Sequence, residues 1–154
     1  MITDNDKLSR QHQLLAPNTP KLRVLVYGAG MLGSWTVHAL ARMVEHVTVW
    51  DGADKVEEGN VGNQAYNELD VGEFKAASLQ LSIAGLYVGA VHCMFPDRCG
   101  AIQPSFHPNV VVACADSMAS RRMGAEWCRD NGIPLFIDTR ASGLYATIIT
   151  VLQC

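Results

Sequence analysis

An apolar run that breaks directly into a glycine turn leaves a chain few folds to choose from. Residues 22–27 (LRVLVY) lead without interruption into Gly28-Ala29-Gly30-Met31-Leu32-Gly33. The short apolar run reads as a buried strand. After the turn, apolar residues recur at Leu32, Val37, Leu40, Ala41 and Val44, which is helical spacing. The pattern is therefore strand, G-x-G-x-x-G, helix. The three glycines serve different ends. The first allows the tight turn, the second lets a phosphate approach the backbone, and the third lets helix and strand pack closely. The helix start then offers free N–H groups and the positive end of a dipole to an anion.

The rest of the chain repeats the alternation. Residues 46–50 (HVTVW) predict a second strand, closed by Asp51-Gly52. Residues 72–84 predict a helix, 88–95 a third strand, 110–113 (VVVA) a fourth, and 118–131 a helix stopped by Gly132. Residues 134–138 (PLFID) and 145–152 (YATIITVL) predict two more strands. Strands alternating with helices imply an α/β, Rossmann-like fold, with a mostly parallel sheet and helices on both faces. The 154 residues suit a single nucleotide-binding domain with residues 1–20 as a polar N-terminal arm. Right-handed crossovers put ligands at the carboxyl ends of the strands. Three clusters fall there: residues 28–33, 51–64 and 116–121. Between Asp51 and Gly72 lies a polar connection of about twenty residues, longer than a compact domain needs and so a candidate functional loop.

Asp51, at the end of the second strand, suits a ribose diol, but the glycine turn alone does not choose between NAD and ATP. That choice rests on later residues: Asp54-Lys55-Val56-Glu57-Glu58-Gly59-Asn60-Val61-Gly62-Asn63-Gln64, then Asp70-Val71-Gly72-Glu73-Phe74-Lys75-Ala76, then Ala115-Asp116-Ser117 with Arg121 beyond. In this order the sequence resembles the ThiF/MoeB/HesA family, which includes the ubiquitin-activating enzymes and shows D-x-V-x-x-x-N-L-x-R-Q, D-I-G-x-x-K-A and a strand ending in D-N or D-S. Ser9-Arg10-Gln11 matches the S-R-Q found before the first strand in many members, so the likeness runs from about Leu8 onward.

The resemblance implies an ATP-dependent adenylyltransferase that activates the C-terminal carboxylate of a small ubiquitin-like or sulfur-carrier protein, with Mg2+ and commonly as a homodimer. By position, Gly28, Gly30 and Gly33 would shape the nucleotide turn, and Asp51 would hold the ribose. Asp54 would lie near metal and phosphates. Asn60 would bond phosphate, with Asn63 and Gln64 beside it. Lys75 would neutralise phosphate charge, Asp116 would hold magnesium, and Arg10 would reach the nucleotide from the other subunit. The chemistry agrees with this equipment. When a carboxylate attacks the α-phosphate and pyrophosphate leaves, the demand is for positioning and for charge stabilisation by cations and a hard metal. Bland roles compete: Lys75 as a solvated surface lysine, Asp116 as a helix N-cap, Asp54 as a turn residue, Arg10 as part of a loose tail.

Three departures stand out. Asn63 replaces the family's arginine before glutamine, a substitution seen in phage- or plasmid-type members, and removes a cation. Asp51 lies one residue further from Val56 than usual, an extra residue (Gly52 or Ala53) that either disturbs the ribose contact or is absorbed in the turn. The zinc-binding cysteines and second sheet half that usually follow are not visible. Asp138-Thr139-Arg140 at a strand end lines a substrate channel or forms a surface salt bridge. These departures keep a second reading open, a nucleotide-binding or dimerisation module without catalysis, and the glycine turn with Asp51 leaves an NAD(P)-binding oxidoreductase domain as a third.

The formal net charge of −3 opposes broad nucleic-acid binding. No apolar stretch predicts a membrane span, and the polar start does not read as a signal peptide. Cys93, Cys99, Cys114, Cys128 and Cys154 form no C-x-x-C pair, so reduced, buried thiols in a cytoplasmic protein are expected.

Overall fold

The computed structural model describes residues 22–44, 46–52, 54–84, 90–94 (backbone), 107–142 and 144–152. They form β1 (Arg23–Tyr27), α1 (Met31–Leu40), β2 (His46–Trp50), α2 (Lys75–Ile83), β3 (Ala90–Met94), β4 (Val110–Ala113), α3 (Met118–Asp130), β5 (Leu135–Ser142) and β6 (Tyr145–Leu152). The described strands make one six-stranded sheet in the order β3-β2-β1-β4-β5-β6. The first five are parallel, and β6 pairs antiparallel with β5. The chain steps outward from β1 in one direction, then returns to β1's other side to begin β4. That reversal opens a crevice over the carboxyl ends of β1 and β4.

Alternation along each strand assigns the two faces. Val24 and Val26 of β1, Val47 and Val49 of β2, and Val110 and Val112 of β4 join Val37 of α1 and Ala76, Leu79 and Ile83 of α2 in one core. Leu25 and Tyr27, Trp50, Val111 and Ala113 turn to the opposite face, where Cys128 of α3 and Phe136 of β5 meet them. Helices on both faces and a mostly parallel sheet are thus present. Each fully buried valine or leucine contributes about 1.5–3 kcal/mol, which fixes the strand register.

Two elements differ from the sequence-based expectation. The second helix starts at Lys75 rather than at residue 72, because Phe74 is extended and bridges to Lys55. Strand β5 continues to Ser142 because β6 supplies a hydrogen-bonding partner along its whole length. The last strand has the expected bounds and is an antiparallel edge, exposed at all eight positions. The described part of residues 51–72 carries two 3-10 turns, Glu58–Asn60 and Glu68–Asp70. Among the described residues, no helix is long and apolar enough to cross a membrane.

Candidate functional site

Local chemistry builds the turn at the end of β1. Gly28 has φ +97, and a Cβ there would lie 2.9 Å from the Ala115 nitrogen. A Cβ on Gly33 would lie 1.8 Å from the Gly28 oxygen, so helix and turn can meet only without one. Gly30 is different: its φ of −72 is ordinary, and a Cβ there would meet no atom of the described residues within 4 Å. The protein gives no packing reason for glycine at that position, whereas a ligand lying against the backbone would. Helix α1 begins beside it with no side-chain cap and no acidic residue in its first turn, so its N–H groups and dipole are left for an anion.

Asp51 closes one side of this turn. Its Oδ1 accepts the Ala29 N–H at 2.9 Å, while Oδ2 is buried with no hydrogen-bond partner among the described residues. Burial pushes its carboxyl up to about 6, the Ala29 N–H and Lys75 pull it down, and Asp54 and Asp116 push it further up. Asp54, Lys75 and Asp116 therefore each lie within electrostatic reach of Asp51, although they come from a loop, a helix start and the end of another strand. The Asp54 N–H donates to the Gly52 oxygen at 2.6 Å, and Asp51 reaches the Ala29 N–H.

Pairing of the loop's two ends places the lysine. The Val56 N–H donates to the Glu73 oxygen, the Gly72 N–H to the Val56 oxygen and the Lys75 N–H to the Asp54 oxygen, at 2.8, 2.9 and 2.9 Å. This short antiparallel ladder puts Lys75 opposite Asp54, with Nζ 3.9 Å from Oδ2. The Lys75 side chain is only 13% exposed and that of Asp54 is 73% exposed, so the ammonium is held by its frame more than by its partner. Asn60 and Asn63 serve the loop itself: Asn60 Oδ1 accepts the Glu57 N–H, and Asn63 Nδ2 donates to the Gly59 oxygen. The Gln64 Oε1 is buried without a partner among the described residues. Arg10 lies outside the described residues.

Asp116 follows β4 and is exposed. The helix cap is its neighbour: Ser117 Oγ accepts the Ser120 N–H at 3.0 Å. The Asp116 carboxylate is thus not occupied in capping. No group of three or more His, Cys, Asp or Glu among the described residues could hold a metal. A cation here would take Asp116 plus phosphate oxygens and water. That donor set fits magnesium, which keeps waters and is usually held by one or two carboxylates.

The opposite wall is closed. Asp138 is buried, and Arg121 of α3 donates to its Oδ1 and to the Thr139 oxygen. Arg140 Nε and Nη2 donate to its Oδ2 at 2.8 and 2.5 Å. Arg121 and Asp138 therefore form an interior brace joining α3 to β5, while Arg140, its side chain 41% exposed, bonds the same carboxylate from the outer side. Burial raises the thiol of Cys114 and pushes that of Cys128 up to about 12, so neither offers a thiolate. The side chains of Cys93, Cys99 and Cys154 lie outside the described residues.

Tyr66 had no place in the sequence-based expectations. It is buried, and its hydroxyl donates to the Ala29 oxygen at 2.7 Å. The available signal was a single tyrosine near the end of the polar stretch, with nothing in the sequence to show that the loop folds back onto the glycine turn.

The ThiF family profile matches residues 13–153. Among solved structures, the fold is similar to E. coli tRNA N6-threonylcarbamoyladenosine dehydratase, TcdA, with a TM-score of 0.77 and 24% identity over 93% of this chain and 64% of that one. TcdA has also been solved with ATP and with AMP. E. coli MccB, solved with AMPCPP and MccA, matches with a TM-score of 0.75 and 16% identity, over 97% of this chain and 43% of that one. The chain thus spans less than two thirds of the length of these structural relatives. A search of curated proteins returned no match.

Proposed function

Because the chain belongs to the ThiF family, we propose that it binds ATP with Mg2+ and adenylates the C-terminal carboxylate of a small ubiquitin-like or sulfur-carrier protein. The observation that carries this reading is the open backbone at Gly30, set beside a buried carboxylate with one unpartnered oxygen and a framed lysine. The complexes of TcdA with ATP and AMP, and of MccB with AMPCPP and MccA, support it.

In this reading the Gly30 backbone and the start of α1 receive phosphate. The free Asp51 oxygen accepts a ribose hydroxyl, and the Lys75 ammonium faces phosphate charge. Asp54 keeps that ammonium oriented, and Gln64 offers its carbonyl oxygen to the ligand. Asp116 would hold magnesium, which supplies charge neutralisation when bound. The ionised carboxylate of the partner protein attacks the α-phosphorus; the bond to the bridging oxygen breaks, and pyrophosphate leaves with the electron pair. No general base is needed. Arg10, from a second copy in a homodimer, would add a cation. The two buried free thiols, Cys114 and Cys128, suit a reducing cytoplasmic setting.

A second reading, a nucleotide-binding module without turnover, is favoured by Asn63. Its amide is tied to Gly59 where an arginine would bring charge. Exchange of labelled pyrophosphate into ATP separates the two. The enzyme should show exchange that needs a partner with a free C-terminal carboxylate and stops when that carboxylate is amidated. Tight ATP binding with no exchange across a panel of ubiquitin-like and sulfur-carrier proteins would establish the module instead.

A further inference from the structure

Ala29, between the first two glycines, has both of its hydrogen-bonding groups taken by side chains. Its N–H goes to Asp51 Oδ1 at 2.9 Å, and its oxygen accepts the Tyr66 hydroxyl at 2.7 Å. Tyr66 lies 37 residues further along the chain and is 7% exposed, a member of the same buried core as Val26 and Val56. The loop is tied down on its approach to Tyr66. The Ala65 N–H donates to Ser34 Oγ at 3.0 Å, and Trp35 Nε1 donates to the Asn63 oxygen at 3.2 Å. Ser34 and Trp35 belong to the opening turns of α1, so the hydroxyl is delivered from the same rigid frame that carries the glycine turn.

A trans peptide points its C=O and N–H in opposite directions. Drawing the Ala29 oxygen inward to Tyr66 turns the Gly30 N–H the opposite way, at a residue where even an added Cβ would meet no atom of the described residues within 4 Å. With a second side chain, Asp51, holding the preceding peptide, the turn is set before any ligand arrives. We propose that Tyr66 is a positioning residue for phosphate: its hydroxyl locks the Ala29–Gly30 peptide so that the Gly30 N–H is presented to the nucleotide. This rests on the nucleotide reading above.

Tyr66→Phe keeps the ring and its packing but frees the carbonyl. Calorimetric titration of the full chain and of Y66F with ATP, AMP and adenosine tests the idea, with thermal unfolding as a check on the fold. A lost hydrogen bond to a charged group corresponds to about tenfold in affinity. The expected result is a loss of about that size for ATP and AMP with adenosine binding unchanged, because adenosine presents no phosphate to Gly30. Unchanged ATP affinity in Y66F, or an equal loss for adenosine, would overturn the proposal while leaving the nucleotide reading intact. Wild-type protein that binds neither ATP nor AMP would remove that reading, and this inference with it.

Discussion

On one wall of the crevice, both oxygens of Asp138 are taken by arginines; on the other, Asp51 has one oxygen bonded and the other buried without a partner among the described residues. Both carboxylates sit at strand ends, at 5% and 8% exposure, yet they differ in what they leave undone. A saturated buried carboxylate has no capacity for a ligand and acts on the fold, here by joining α3 to β5. An unsaturated one carries a desolvation penalty that a ligand hydroxyl would relieve. The same contrast separates the cations. Arg121 is enclosed by its acceptors, whereas among the described residues Lys75 pairs with an exposed aspartate at 3.9 Å. In the proposed reading, fold-holding charge and ligand-facing charge are thus divided between β4–α3–β5 and the glycine turn with its loop.

Substitutions on the two walls should therefore fail in different ways. The largest effect is expected for Asp138→Asn. It leaves a buried guanidinium without its counter-charge and should lower stability by about 3 kcal/mol in denaturant unfolding, with the nucleotide affinity of the folded protein unchanged. Next is Lys75→Ala. It should lower the rate of partner-dependent pyrophosphate exchange by about a hundredfold while thermal unfolding stays near wild type. A stability loss with unaltered exchange would assign Lys75 to the fold and erase the division.

Asp51 gives a smaller, pH-dependent signature. Its carboxyl is raised from 3.8 to about 6, so the folded protein holds this proton more tightly than the unfolded chain does. Its contribution to stability is fullest below about pH 4 and is lost as the pH rises through 6. A ribose hydroxyl donates best to the ionised form, so ATP affinity should rise about tenfold across the same interval. Asp51→Asn should flatten both profiles. A pH dependence of binding that survives in Asp51→Asn would place the titrating group elsewhere.

The parallel sheet was legible in the sequence because β1, β2 and β4 are short valine-rich runs whose burial on both faces needs no partner to be recognised. Strand β6 has similar composition, but its exposure follows from lying at an edge, and the extension of β5 follows from pairing with it. Neither is a local property. At the site, the glycines, Asp51, Lys75 and Asp116 could be named as candidates because each belongs to a motif with fixed spacing, and their roles toward a nucleotide are part of the proposed function. Ser117 as the true cap took the simplest alternative role away from Asp116. Tyr66 was not readable, since its role arises only when the loop closes over the turn and a hydroxyl meets a carbonyl 37 residues away.

The central claim is that the glycine turn, Lys75 and Asp116 converge on one triphosphate. A crystal structure of the protein with Mg2+ and a non-hydrolysable ATP analogue tests it most directly. The account predicts phosphate within hydrogen-bonding distance of the Gly30 N–H and Lys75 Nζ, a ribose hydroxyl on Asp51 Oδ2, and the metal on Asp116. Phosphates bound away from Gly30, or Lys75 and Asp116 turned out of the crevice with a nucleotide in place, would contradict it.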